Sequence, residues 1–153
     1  TTSILTQIMR LQEICCGHLK TDDGEIKEIP NNRIDELFNT IEEMSGKVII
    51  WASWVYDIER IVRLLRKKFG AQTTEAFYGA TPQDRRQEIV NNFQDKDSEL
   101  RFFVGNPICQ EHHGLYVDLV SPDTVDEKIL TALKNKINIA QEVLGEQSRD
   151  WLI

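Results

Sequence analysis

Phe77-Tyr78-Gly79-Ala80-Thr81-Pro82-Gln83-Asp84-Arg85-Arg86-Gln87-Glu88-Ile89-Val90-Asn91-Asn92-Phe93 is the stretch from which the rest of the chain is read. It predicts the end of a strand, a glycine turn and a short amphipathic helix over 82–93. Thr81 suits an N-cap, and Pro82 suits the first helical position, where a missing N–H is no loss. Asp84 falls in the first turn, where a negative charge complements the helix dipole. Ile89, Val90 and Phe93 share one face at helical spacing. A glycine turn running into a helix N-terminus leaves backbone N–H groups facing outward, a place able to hold a phosphate. Side chains of Thr81 and Asp84 that satisfied those groups themselves would make it only a turn. Spacing leaves both readings open.

Outward from this stretch, apolar runs alternate with amphipathic helices. On the N-terminal side, Lys47-Val48-Ile49-Ile50-Trp51-Ala52 is a continuous apolar run, the pattern of a strand buried on both faces of a parallel sheet. The helix after it repeats Val55, Ile58, Val62, Leu65 and Phe69 and stops at Gly70. Arg60, Arg63, Arg66, Lys67 and Lys68 gather on its outer side and last turn, where cations are favourable by roughly 0.3–1 kcal/mol each. A solvated, dipole-matched face is the first reading there, and a nucleic-acid patch the second. On the C-terminal side follow a polar turn over 94–98, a strand over 100–105 and a further apolar segment over 115–120, broken by Ser121-Pro122. Thr124-Val125-Asp126-Glu127 reads as a capping box opening a last helix, with Val125, Ile129, Leu133, Ile137, Ala140 and Leu144 along it. Upstream, Ile4, Ile8, Leu11 and Cys15 form one face of a helix over 3–19 that ends near Gly17, with Leu5 and Met9 alongside. Thr21 to Glu25 carries an Asp-Gly pair fit for a small hairpin tip. Pro30-Asn31-Asn32 opens a helix with a stripe of Ile34, Leu37, Phe38, Ile41 and Met44, ended by Gly46.

The pattern predicts an α/β domain, doubly wound, in which strands 47–52, 75–78, 100–105 and 115–120 form one mainly parallel sheet with helices on both faces. One domain over 1–153 is expected, large enough for a real core. A hydrophobic fraction of 41% and a charged fraction of 28% are those of a globular protein, and no apolar run approaches a membrane span. The net charge of −7 argues against a small free-standing nucleic-acid binder, although an acidic domain can carry a local basic face. Three cysteines, with Cys15 and Cys16 adjacent, do not make a disulfide framework and imply a reducing compartment. Adjacent cysteines also do not make a zinc site with His18, His112 and His113, because zinc wants cysteines two to four residues apart. Opening on Thr1, the chain reads as a piece of a longer protein. It holds no Gly-x-x-x-x-Gly-Lys-Ser/Thr phosphate loop, no Gly-x-Gly-x-x-Gly, no Gly-x-Ser-x-Gly and no His-Glu-x-x-His. Periodicity ends there, with a fold class and no function.

Four segments, in order, resemble one family. Leu11-Gln12-Glu13-Ile14-Cys15-Cys16 is similar to the Leu-Arg-x-Ile-Cys-Cys run opening the C-terminal lobe of Swi/Snf-type helicase-like ATPases of superfamily two. Lys47 to Trp54 resembles their buried strand ending in a Ser-x-Trp-like turn. Tyr78 to Phe93 resembles their Gly-Ser-Thr-x-x-x-x-Arg-x-x-x-x-x-x-Phe motif, with Gly79, Thr81, Arg86 and Phe93 in register. Leu115 to Leu130 resembles the Tyr-x-Leu-Val-x-x-x-Thr-Val-Asp-Glu-Lys-Ile stretch beyond their last motif.

The resemblance, which points to a bacterial or phage member, implies a RecA-like lobe, P-loop-NTPase-like but without the phosphate loop. It implies ATP and Mg held by a separate N-terminal RecA-like lobe of the same parent, and double-stranded DNA gripped between closing lobes. It implies DNA contacts at Ser53, Trp54, Gly79, Ala80, Thr81 and Arg86, Arg86 having a structural role within the lobe as its alternative. Gln110 would touch nucleotide as the tail of the arginine-finger motif, although Cys109 stands where that motif has glycine. A cytoplasmic monomer, inactive alone and without a membrane partner, is expected. A stand-alone domain binding a small ligand at its strand ends is the competing reading. A third is a protein-interaction module using the Trp151 tail or the Arg60–Lys68 face. One junction conflicts with the frame: nine residues separate Gly105 from Leu115, whereas a parallel crossover needs about a dozen or more. Either 115–120 runs antiparallel, or the chain lacks residues near 107–108, where the resemblance would put the glycine-rich and arginine-finger motifs. A break between Asn106 and Cys109 is therefore expected.

Overall fold

The computed structural model describes residues 3–106 and 117–134. They fall into two compact units, one from the described residues of Thr1–Glu36 and Tyr116–Ile153, the other from those of Leu37–Leu115.

In the first unit, α1 (Ile4–Cys16) is opened by Ser3, whose Oγ accepts from Thr6 N–H at 3.2 Å. It is closed by Gly17 at φ +89, whose N–H donates to the Glu13 and Ile14 carbonyls. Only glycine fits there, because a Cβ would also stand 2.4 Å from Asn31 Nδ2. Strands β1 (His18–Lys20) and β2 (Ile26–Glu28) form an antiparallel hairpin across Thr21–Glu25, so the Asp-Gly reading holds. Ile8 and Val125 make the buried centre of this unit, with Leu11, Cys15 and Ile129 packed on it. Leu5 and Met9 are exposed. The last helix, α5, is described over Val125–Lys134. Thr124 Oγ1 accepts from Asp126 N–H at 3.2 Å. Arg33 ties this unit together: it pairs with Asp126 and donates to the Leu119 carbonyl at 2.7 Å and to Cys16 Sγ at 3.2 Å.

The second unit is the parallel sheet. Its strands are β3 (Val48–Trp51), β4 (Thr74–Phe77) and β5 (Phe102–Gly105), in the order β3-β5-β4. Both pairings are parallel, with Val48 and Thr74 each opposite Phe102. The connecting helices are α3 (Val55–Phe69) and α4 (Gln83–Gln94), while α2 (Arg33–Glu43) leads into β3. Successive side chains of a strand point to opposite faces. Phe102 meets Phe69 of α3 at 5.0 Å, and Phe103 meets Phe93 of α4 at 5.5 Å, so helices cover both faces. Phe38 of α2 stacks on Phe69 at 6.4 Å, which sets α2 beside α3. All four residues of β5 are buried, as a central strand requires, and Ile41, Ile58, Leu65 and Ile89 complete the core.

The doubly wound α/β reading stands, with three corrections. The 47–52 run is not buried on both faces: β3 is an edge strand among the described residues, with Ile50 inside and Ile49 and Trp51 at 40% and 36% exposure. On α3, Val55 is exposed and Ile61 is buried in its stead. Residues 117–120 form no strand; the Leu119 carbonyl goes to the Arg33 guanidinium instead of a ladder. The expected break after Pro107, Cys109, the histidines at 112 and 113, the last helix beyond 134 and the Trp151 tail all lie outside the described residues.

Candidate nucleic-acid interface

Parallel strands leave one end of the sheet where every strand stops, and in open α/β sheets ligands bind outside those carboxyl ends. Two turns stand at that end of the second unit. One, Ala52–Trp54, carries β3 into α3; the other, Tyr78–Pro82, carries β4 into α4.

The second turn locks itself. Thr81 is buried, and its Oγ1 accepts from Tyr78 N–H at 3.0 Å and donates to the Ala76 carbonyl at 3.1 Å. Arg86 reaches back from the first turns of α4, donating to the Thr81 carbonyl at 3.1 Å and to the Tyr78 carbonyl at 3.3 Å. Its guanidinium also lies 5.5 Å from the Phe77 ring centroid. Thr81 is therefore not the N-cap that the sequence suggests. Pro82 takes that position, with no side-chain cap, and the helix starts at Gln83. The reason is local: the strand end leaves Tyr78 N–H and the Ala76 carbonyl needing partners, and the hydroxyl turns inward to them.

Gly79 and Ala80 remain exposed at the tip. A Cβ on Gly79 would meet nothing within 4 Å among the described residues, so packing against them does not account for glycine there. Beside the tip, the Tyr78 hydroxyl donates to Glu59 Oε1 at 2.9 Å. That hydrogen bond, aided by partial burial and by the carboxylate's charge, holds the Tyr78 phenol above its ordinary 10.0.

The first turn is built differently. Ser53 is exposed and Trp54 half-buried, and Trp54 opens α3 without a side-chain cap. One restraint on it comes from the end of β5: Asn106 Nδ2 donates to the Ala52 carbonyl at 3.0 Å and to the Ser53 carbonyl at 3.2 Å. Nothing in the sequence singled Asn106 out, because its two acceptors lie more than fifty positions upstream.

The structure thus brings Ser53 and Trp54 to one turn and Gly79, Ala80 and Thr81 to another at the same end of the sheet, with Arg86 reaching the second turn from α4. Gln110 lies outside the described residues. The basic side of α3 is partly engaged. Arg66 donates to the Thr74 carbonyl and to Glu75 Oε2, Lys68 pairs with Glu42, and Arg63 and Lys67 are exposed. A surface concavity of about 410 Å³ in the second unit lies around Lys47 and Arg101, away from the strand carboxyl ends, and one of about 260 Å³ in the first unit lies around Arg33 and Leu119. Among the described residues no group of three or more His, Cys, Asp or Glu is placed to hold a metal, and no helix is long and apolar enough to cross a membrane.

A family model described as the helicase conserved C-terminal domain matches residues 31–111, just over half of the 153-residue chain. The matched span contains all three sheet strands and both turns. No curated protein and no solved structure matches the chain.

Proposed function

Because the chain belongs to the helicase conserved C-terminal domain family, we propose that it is the C-terminal lobe of a Swi/Snf-type, ATP-dependent DNA translocase or helicase of the cytoplasm. In this reading it works as a monomer against an N-terminal RecA-like lobe of the same parent, which holds ATP and Mg, and it grips the backbone of double-stranded DNA. The observation that carries the DNA part is the Tyr78–Pro82 turn. Gly79 and Ala80 are presented at the end of a parallel sheet, ahead of a helix whose N-terminus has no side-chain cap. Free backbone N–H groups and the helix dipole favour a phosphate there.

The residues have distinct parts in this grip. Gly79 and Ala80 offer backbone, while Thr81 and Arg86 hold the turn from beneath, because their polar atoms are turned to the Tyr78, Ala76 and Thr81 backbone. Ser53 offers a hydroxyl from the neighbouring turn. The described residues contain no phosphate loop, and the bonded nitrogens of Arg86 face turn carbonyls, so triphosphate binding belongs to the partner lobe. The small-ligand alternative gains nothing from the concavity of the sheet unit, which does not sit at the strand carboxyl ends.

The test joins this chain to the parent's N-terminal lobe and measures ATP hydrolysis with and without duplex DNA. Stimulation by DNA is expected, and Ala80→Glu is expected to reduce it severalfold by setting a carboxylate against phosphate. Full stimulation in that variant would remove the turn from the DNA path. Thr81 is the wrong place for this substitution, since its hydroxyl closes the turn and an acidic side chain there would unfold the turn itself.

A further inference from the structure

The end of β5 is in close contact with both neighbouring strands. On the β4 side, Gly105 lies so near that a Cβ would stand 2.3 Å from the Phe77 carbonyl oxygen. On the β3 side, Ala52 N–H donates to the Gly105 carbonyl at 2.9 Å, prolonging the ladder one residue past the strand. Asn106 continues the connection with its side chain, one amide nitrogen bonding the two successive carbonyls of Ala52 and Ser53. Those carbonyls sit where β3 has ended and α3 has not begun. Trp54 supplies no side-chain cap at the start of α3, and the two bonds of Asn106 hold the turn from the side of β5.

We propose that Asn106 is a positioning residue for the nucleic-acid grip, holding the Ser53–Trp54 turn in the conformation in which Ser53 meets the phosphate backbone. The proposal rests on the reading of that turn as a DNA contact. Asn106 acts through the two carbonyls it binds: with its donors gone, the carbonyls turn toward water and exposed Ser53 moves with them. An aspartate in its place would set a carboxylate against two carbonyl oxygens and displace the turn further.

The experiment measures binding of the full chain to a labelled duplex oligonucleotide over a salt series, with thermal unfolding followed in parallel. The proteins are the parent sequence, Asn106→Ala, Ser53→Glu, Ala80→Glu and the two double variants that contain Asn106→Ala. Asn106→Ala is expected to weaken binding by about threefold to tenfold. The log–log salt dependence is expected to stay close to that of the parent, because a neutral hydroxyl on a phosphate displaces no counterion. Asn106→Ala should add nothing to Ser53→Glu and its full effect to Ala80→Glu. Affinity losses that add fully to Ser53→Glu would show that Asn106 serves the fold alone and would overturn the proposal. Ser53→Glu binding like the parent, or a parent that does not bind duplex, would instead overturn the DNA reading of the turn. Normal binding by Asn106→Ala beside a weakened Ser53→Glu would sink only the positioning role. Should Asn106→Ala fail to fold, Asn106→Ser, which keeps one donor, is expected to fall between parent and Ser53→Glu, and parent-like binding by it with both acceptors half-satisfied would count against the role.

Discussion

Gly105 carries no side chain because the end of β4 fills the space that one would need. A methyl group there would stand 2.3 Å from the Phe77 carbonyl oxygen, and backbone on both sides leaves little room to yield. Gly105→Ala is therefore expected to destabilise the chain by about 1–3 kcal/mol, as overpacking does, read from the urea midpoint. Tyr78 gives the residue-scale pH prediction. Its phenol is raised above 10.0 by the Glu59 bond, so the neutral form is favoured in the folded state. The linked stability is fully present below pH 10 and is lost as pH rises through the folded value, and Tyr78→Phe should remove that part of the alkaline loss. A parallel ultraviolet titration should show one tyrosine of the parent ionising late, and its disappearance in the variant checks the assignment. These residues were unequally legible. Gly79 and Thr81 stood out because glycine and threonine in a strand-to-helix turn have few reasons to be there. The inward hydroxyl of Thr81 and the two bonds of Asn106 were hidden, since they depend on backbone groups that a sequence does not arrange.

At the scale of elements, two cations that precede strands close the ends of helices. Arg101 donates to the carbonyls of Ile41, Met44 and Gly46 at the end of α2, and its guanidinium lies 4.9 Å from the Phe102 ring. Lys47 donates to the Asn92 and Asp95 carbonyls at the end of α4. Such carbonyls have no intrahelical partner, and a cation there also meets the negative end of the dipole. Arg101→Met, which keeps the apolar stem, is expected to lose about 1–3 kcal/mol from unsatisfied acceptors. Lys68→Ala should lose no more than about 1 kcal/mol, because its Glu42 partner is half in water. Comparable losses in the two variants would refute the capping role. Helices were legible in the sequence because 3.6-residue stripes are long signals, and α1 to α4 lie close to their expected bounds. Strand context was not. The apolar run of β3 looks the same at an edge as at a centre, and 117–120 has the composition of a strand with a guanidinium where a pairing strand would be.

For the whole molecule, a net charge of −7 bounds any grip on DNA. With Arg66 and Lys68 tied to Glu75 and Glu42, a few phosphate contacts remain at most, so duplex affinity is expected to be weak and steeply salt-dependent. Tight binding that persisted at high salt would contradict the backbone-contact reading. The isolated chain is also expected to hydrolyse no ATP, since its sequence holds no phosphate loop, and turnover by the purified chain would refute the two-lobe assignment. The strand order β3-β5-β4 has a consequence for synthesis. The ribosome delivers β3 and β4 first, yet neither pairs with the other; each waits for β5, the last to emerge, to slide between them. The sheet therefore cannot grow strand by strand behind the ribosome. A nascent chain halted at residue 100 should expose its apolar segments to chaperones and resist proteolysis no better than an unfolded peptide, and the few residues of β5 should convert it in one step.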